Sequence, residues 1–202
     1  MTEAFASNLP LQARPEWQAG EPPHLDAFIG GGADDLMPGG GVLRDHVRRY
    51  AAETGRATAY FANSRVGRVV QLVGDVLRRG GSANLIGHSW GGPDAYRAAS
   101  RLARDGLYVA SLITLDPVAG PFRRPRGAVG PVFWLNVSTT PEVRDRSDRL
   151  TRIFPLSRKP SSLPLDKADQ AIELNLHHWD VDRMMSLGGG RARLDIASPA
   201  GD

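Results

Sequence analysis

Residues 83–92 read Ala83-Asn84-Leu85-Ile86-Gly87-His88-Ser89-Trp90-Gly91-Gly92, an apolar run followed by a serine held between two glycines. The run reads as a buried strand, and the Gly-x-Ser-x-Gly spacing is that of a sharp strand-to-helix turn that lifts the serine hydroxyl clear of its neighbours. Side chains at the two flanking positions would crowd so tight a backbone, which is why glycine suits them. Five residues are a weak signal in a chain with 23 glycines among 202 residues, so the context decides.

Upstream of the turn, His24 to Ile29 reads as a strand stopped by Gly30-Gly31-Gly32. A second glycine run, Gly39-Gly40-Gly41, precedes a helical spacing of apolar residues over Val42 to Tyr50. Thr58 to Phe61 is the next strand, and Val66 to Arg79 an amphipathic helix ended by Gly80-Gly81. Downstream, Pro93 to Arg104 is a helix, Leu107 to Leu115 an apolar run fit for a strand covered on both faces, and Val132 to Val137 another strand. Residues 139–166 are polar and proline-rich, a lid or a surface excursion; Ala168 to Leu187 is read as mostly helical. Strands alternating with helices imply a mostly parallel sheet flanked by helices, an α/β architecture with chemistry at the carboxyl ends of the strands. The expected organisation is an N-terminal arm over 1–23, one domain over 24–187 and a loose tail over 188–202.

Composition bounds the partners. With 202 residues, 41% of them hydrophobic, the chain fills one domain and is short for two. Its formal net charge is +3, and its basic character comes from arginine, the only lysines being Lys159 and Lys167. The arginines are interleaved with Asp and Glu, so no nucleic-acid footprint stands out. Arg123, Arg124 and Arg126 are the densest cluster, a solvated loop or a contact to an anionic membrane surface. The absence of cysteine excludes disulfides, thiol catalysis and thiolate metal sites. Nothing approaches the ~20 apolar residues of an integral membrane segment, and Met1 to Phe5 shows no basic-then-apolar secretory signal. The expectation is a bacterial-type soluble protein, cytoplasmic or exported without a cleavable signal peptide.

A serine hydroxyl becomes a useful nucleophile when a base takes its proton and a third group fixes the base's tautomer. Ser89, Asp116 and His178 occur in the order serine, acid, histidine. Here a resemblance can be named. Leu85 to Gly92 looks like the nucleophile elbow of α/β-hydrolase lipases and esterases. Ile113-Thr114-Leu115-Asp116-Pro117 is similar to the pancreatic-lipase-type segment whose aspartate is the triad acid, and His177-His178-Trp179-Asp180-Val181-Asp182 resembles the histidine segment near the end of many lipases. The resemblance spans about Leu25 to Met185. It implies a compact α/β-hydrolase fold, with Ser89 as nucleophile, Asp116 as acid, His178 as base, and an oxyanion hole from the amides of Trp90 and of Gly31 or Gly32.

Several choices stay open at this level. In most α/β-hydrolases the acid follows the next strand, which nominates Glu142, Asp145 or Asp148; Asp116 is preferred for its apolar lead-in and following proline, although Asp-Pro also starts turns. His177 and His178 are adjacent, so at most one is the base, and His178 is preferred because the residues after it fit the lipase pattern better. His88 reads as a packing residue, and His24 and His46 as surface or strand-end residues. A metal site on His177, His178, Asp180 and Asp182 is disfavoured by poor helical ligand geometry, and no cofactor is expected. Gly30-Gly31-Gly32 lacks dinucleotide-loop spacing, and Asp34-Asp35 would repel a pyrophosphate.

The resulting expectation is a serine hydrolase of the lipase, esterase or phospholipase kind that cleaves a carboxylic ester, a small-molecule or lipid ester with a lipid or acyl ester preferred, through an acyl-enzyme on Ser89. Ile153, Phe154, Leu156, Leu163 and Leu165 would offer acyl contacts if 139–166 is a lid. The alternatives are a thioesterase and a non-catalytic binding protein of the same fold; oligomeric state is left open.

Overall fold

The computed structural model describes residues 23–32, 34, 41–118, 130, 133–153 and 163–197. The arm over 1–22, the Arg123, Arg124 and Arg126 cluster, and Phe154 and Leu156 lie outside them. In chain order the elements are β1 (His24–Ile29), α1 (Val42–Thr54), β2 (Thr58–Phe61), α2 (Val66–Arg78), β3 (Ser82–His88), α3 (Gly91–Arg104), β4 (Ser111–Leu115), β5 (Trp134–Thr139), α4 (Arg146–Ile153), β6 (Gln170–Leu174), α5 (Val181–Leu187) and α6 (Gly190–Ala197).

All six strands are parallel, in the order β2-β1-β3-β4-β5-β6. Parallel neighbours need crossovers, and these put helices on both faces. Successive side chains of a strand point to opposite faces, so each strand feeds two cores. Leu25, Ala27 and Ile29 of β1 and Leu85 of β3 pack with α2 and α3. Phe28 and Ile86, from the same strands, pack with Leu43 and Val47 of α1, Met184 and Met185 of α5, and Leu194 of α6. Strand order reverses at β1, whose neighbours are β2 and β3, so the carboxyl ends of β1 and β3 border the crevice where such sheets bind ligands.

Asp26 of β1 is fully buried. Its carboxylate accepts hydrogen bonds from Asn84 Nδ2 at 2.8 Å and Tyr50 Oη at 2.7 Å, and pairs with Arg56 Nε at 2.9 Å. Arg56 also donates to the Leu194 carbonyl at 2.9 Å, so the network ties α1, β1, β3 and α6 together. Burial pushes the Asp26 carboxyl up, but the hydrogen bond and charge of His24, the Arg56 charge and the Asn84 hydrogen bond outweigh it and hold it below the usual range.

The last quarter departs from the sequence expectation. Within Ala168 to Leu187, read as mostly helical, Gln170–Leu174 is an edge strand and only Val181–Leu187 is helix. The strand is mostly exposed, so no burial pattern marks it in sequence. The stretch read as a loose tail carries α6, whose Leu194 is buried against the α1–α5 core. His46 is buried, not superficial, and its Nδ1 lies 2.5 Å from Asp182 Oδ1. Leu163 and Leu165, expected as acyl contacts, pack instead against the core beneath α2 and α3.

Candidate active site

Strand β3 runs into the elbow through Gly87 and His88, and α3 begins at Gly91. Ser89 stands between them with φ 54°, a left-handed conformation that a serine adopts only when its surroundings enforce it. Here the Ser89 N–H donates to the Leu115 carbonyl at 3.0 Å, and the Ser89 carbonyl accepts from Gly92 N–H at 3.1 Å and Val118 N–H at 3.0 Å. The flanking glycines are required by close approach. A Cβ on Gly87 would run into the Gly91 carbonyl, and one on Gly91 into the Ile29 carbonyl. The elbow is thus wedged between β1 and β4.

Ser89 Oγ lies 3.0 Å from His178 Nε2, and His178 Nδ1 lies 2.5 Å from Asp116 Oδ2. An ionised carboxylate only accepts, so Nδ1 carries the proton and Nε2 offers its lone pair to the serine hydroxyl. Asp116 sits just past β4 with φ 40°, and its Oδ1 accepts from Thr139 N–H at 3.1 Å. The three residues come from the ends of β3 and β4 and from the loop after β6, and all are buried. The structure brings together Ser89, Asp116 and His178, three residues separated by up to 89 positions in sequence.

The other candidates fall elsewhere. Glu142 is exposed, and its backbone N–H donates to Asn175 Oδ1 at 3.2 Å. Asp148 is buried, but its Oδ2 lies 2.7 Å from His177 Nδ1 while its Oδ1 accepts the His178 backbone N–H at 3.0 Å. Asp145 Oδ2 lies 3.8 Å from His177 Nδ1, and its Oδ1 accepts from Ser147 Oγ at 2.6 Å. The hydrogen bond to Asp148 leads the influences that raise the His177 pKa, joined by the charges of Asp145, Asp148 and Asp180. Asp145, Asp148 and His177 are also the group whose ligand-type atoms lie within 4.8 Å of one another among the described residues. These side chains are already bonded to each other and to the backbone of the loop.

Gly31 and Gly32 flank the serine on the β1 side. A Cβ on Gly31 would stand 2.9 Å from Ser89 Cβ, and the space a Gly32 side chain would take is filled by the Trp90 indole. The Gly31 N–H, expected as one of two alternative oxyanion donors, donates to Asp34 Oδ2 at 2.8 Å. Asp34 is itself buried, and its other oxygen accepts from Leu43 N–H at 3.4 Å, at the start of α1. No sequence motif announces this role.

His88, expected to serve packing, lies against the candidate base with ring centroids 4.8 Å apart and the rings tilted by 32°. Its Nε2–H donates to the His178 carbonyl at 2.9 Å, while its Nδ1 is buried without a hydrogen bond. Burial, reinforced by the charge of His178, pushes the His88 pKa down to about 4, so His88 is neutral near pH 7.

No family model matches the chain, and no curated protein matches it in sequence. Solved structures do resemble it in shape. A hydrolase of the α/β superfamily from Xanthomonas campestris pv. campestris superposes with a TM-score of 0.50 at 12% identity, over 86% of this chain and 97% of that one. Human thioesterase 2 gives 0.51 at 11% identity, over 90% and 100%. An α/β serine hydrolase without lid, also from Xanthomonas campestris, gives 0.51 at 17% identity, over 88% and 84%. Identities this low speak to architecture, and with the six-stranded parallel sheet and its strand order they show that this chain has the fold of the α/β-hydrolase superfamily.

Proposed function

We propose that the protein is a serine hydrolase that cleaves a carboxylic ester through an acyl-enzyme on Ser89. The observation that carries this reading is the continuous hydrogen-bond chain from Ser89 Oγ through the His178 ring to Asp116. His178 takes the serine proton as Oγ attacks the carbonyl carbon and returns it to the leaving alcohol. It then activates the water that releases the acid. Asp116 holds the imidazole in the required tautomer and stabilises its charged form. The proposed oxyanion donors are the amides of Trp90, the N-cap of α3, and of Gly32, since Gly31 is engaged by Asp34.

Thioesters are the second acyl class, by likeness of fold to human thioesterase 2. The same attack, tetrahedral intermediate and acyl-enzyme serve both. A purely binding member of the fold has no need of a buried base 3.0 Å from the serine, so catalysis is the better reading.

The test is reaction with a fluorophosphonate probe, followed by hydrolysis of a p-nitrophenyl ester panel and of acyl thioesters. Labelling is expected at Ser89, with turnover that Ser89→Ala abolishes. Folded protein that neither labels at Ser89 nor hydrolyses either class rules the proposal out.

A further inference from the structure

The residues that compete with the triad in sequence, Asp148 and His177, face each other in space. Resting on the serine-hydrolase reading above, we propose that they form a clamp that positions the base His178, with Asp148 as the positioning residue.

His178 lies in an irregular loop between edge strand β6 and helix α5. Such a loop has no ladder of its own to hold a ring in register with a nucleophile on another strand. Asp148, in the first turn of α4 and 3% exposed, supplies the missing fixture. One carboxylate oxygen accepts the His178 N–H at 3.0 Å, and the other accepts His177 Nδ1–H at 2.7 Å and the Asp145 N–H at 3.0 Å. Asp145 completes the turn by accepting the Asp148 N–H at 3.1 Å. The loop is pinned on its other flanks by His177 N–H donating to Asp180 Oδ2 at 2.9 Å and by His88 holding the His178 carbonyl at 2.9 Å.

The His178 peptide is therefore held on its N–H side by Asp148 and on its C=O side by His88, while Asp116 fixes the ring. A buried acid that only capped α4 would have no reason to span the base-bearing loop. The clamp also explains why two adjacent histidines and two acids occur here without competing. One Asp–His pair does chemistry and the other sets its geometry.

The experiment uses the full-length protein with 15N-labelled histidine. Two quantities are read in Asp148→Asn, His177→Ala and the double variant: the His178 ring nitrogen shifts, which report its tautomer and its bond to Asp116, and the rate of fluorophosphonate labelling at Ser89. Asp148→Asn is expected to move the His178 shifts toward a tautomer mixture and slow labelling ~10-fold or more, the scale of misplaced catalytic groups. His177→Ala, at a half-exposed site that leaves the core intact, is expected to act in the same direction but less. The double variant is expected to lose no more than Asp148→Asn alone, since both act through one contact.

Unmoved His178 shifts and labelling within twofold in His177→Ala and in any folded Asp148 variant overturn the clamp. So do losses that simply add in the double variant. If the wild-type protein does not label while the shifts move as expected, the hydrolase reading falls and the clamp stands.

Discussion

The Gly31 amide donates to Asp34 Oδ2 at 2.8 Å, directly beside the Ser89 side chain. A buried acid thus sets the glycine loop at the mouth of the crevice, and the same acid accepts the Leu43 amide at 3.4 Å at the start of α1. Asp34→Ala leaves both amides without an acceptor. It is expected to lower stability by about 1–3 kcal/mol in urea melts. Labelling of Ser89 should slow ~10-fold or more, because the loop that frames the carbonyl loses its anchor. Unchanged labelling would show that the loop's position does not matter to the chemistry.

Asp116→Asn tests the acid. Asparagine presents an amide that can also donate, so the His178 ring loses the partner that fixes its tautomer at 2.5 Å. By analogy with other Asp-to-Asn changes in such triads, turnover of the best aryl ester is expected to fall by ~10⁴. Glu142→Gln, at an exposed position whose contact is made by its backbone, should leave turnover within twofold.

His88 gives a pH signature. Its pKa falls from an ordinary 6.5 to about 4 in the folded protein, through burial and then the charge of His178. Between these values the unfolded chain binds more protons than the native one, so stability falls as pH drops from about 6.5 to about 4. The loss from this group is roughly 3 kcal/mol. His177, whose pKa is raised by Asp148, works with the opposite sign: its contribution is full below the unfolded value and lost as pH rises through the folded one. Urea melts from pH 4 to 7 should show a shallower acid slope in His88→Gln than in wild type. Parallel slopes would mean that His88 does not titrate in this way.

Arg56 is the cation beside the sealed Asp26 carboxylate. Arg56→Met keeps most of the side-chain volume but takes the guanidinium away from the buried Asp26 carboxylate, and is expected to cost about 3–5 kcal/mol. Tyr50→Phe removes one donor at 2.7 Å and should cost less, about 1.5–3 kcal/mol. Thermal melts that place the two variants in the reverse order would contradict this ranking.

Legibility in the sequence followed how local the physics is. The elbow was readable because its glycines answer to collisions within a few residues and with the neighbouring strand. Strands β1, β3, β4 and β5 are readable because they are buried along most of their length and so run mainly apolar, whereas β6 is mostly exposed and carries no such mark. Helix α6 starts in a glycine run and, among the described residues, is anchored by the buried Leu194, which no short-range period reveals. The choice between His177 and His178, and among the acids after β5, was open because it is made by contacts across the molecule. Asp34 was invisible for the same reason, since only the fold brings its carboxylate to Gly31 and Leu43.

The proposed nucleophile and the proposed base are carried by very different parts of the sheet. Ser89 follows a central strand buried along nearly its whole length, while His178 follows the mostly exposed edge strand β6, which pairs on one side with β5. Edge elements with few buried contacts open before the core does. Amide exchange should therefore be fastest, within the sheet, along β6. Gentle warming should then silence the reaction by releasing the base, while the serine still stands in an intact elbow. Loss of activity on warming is therefore expected to be a local melting event, reversible on cooling and complete before the domain unfolds.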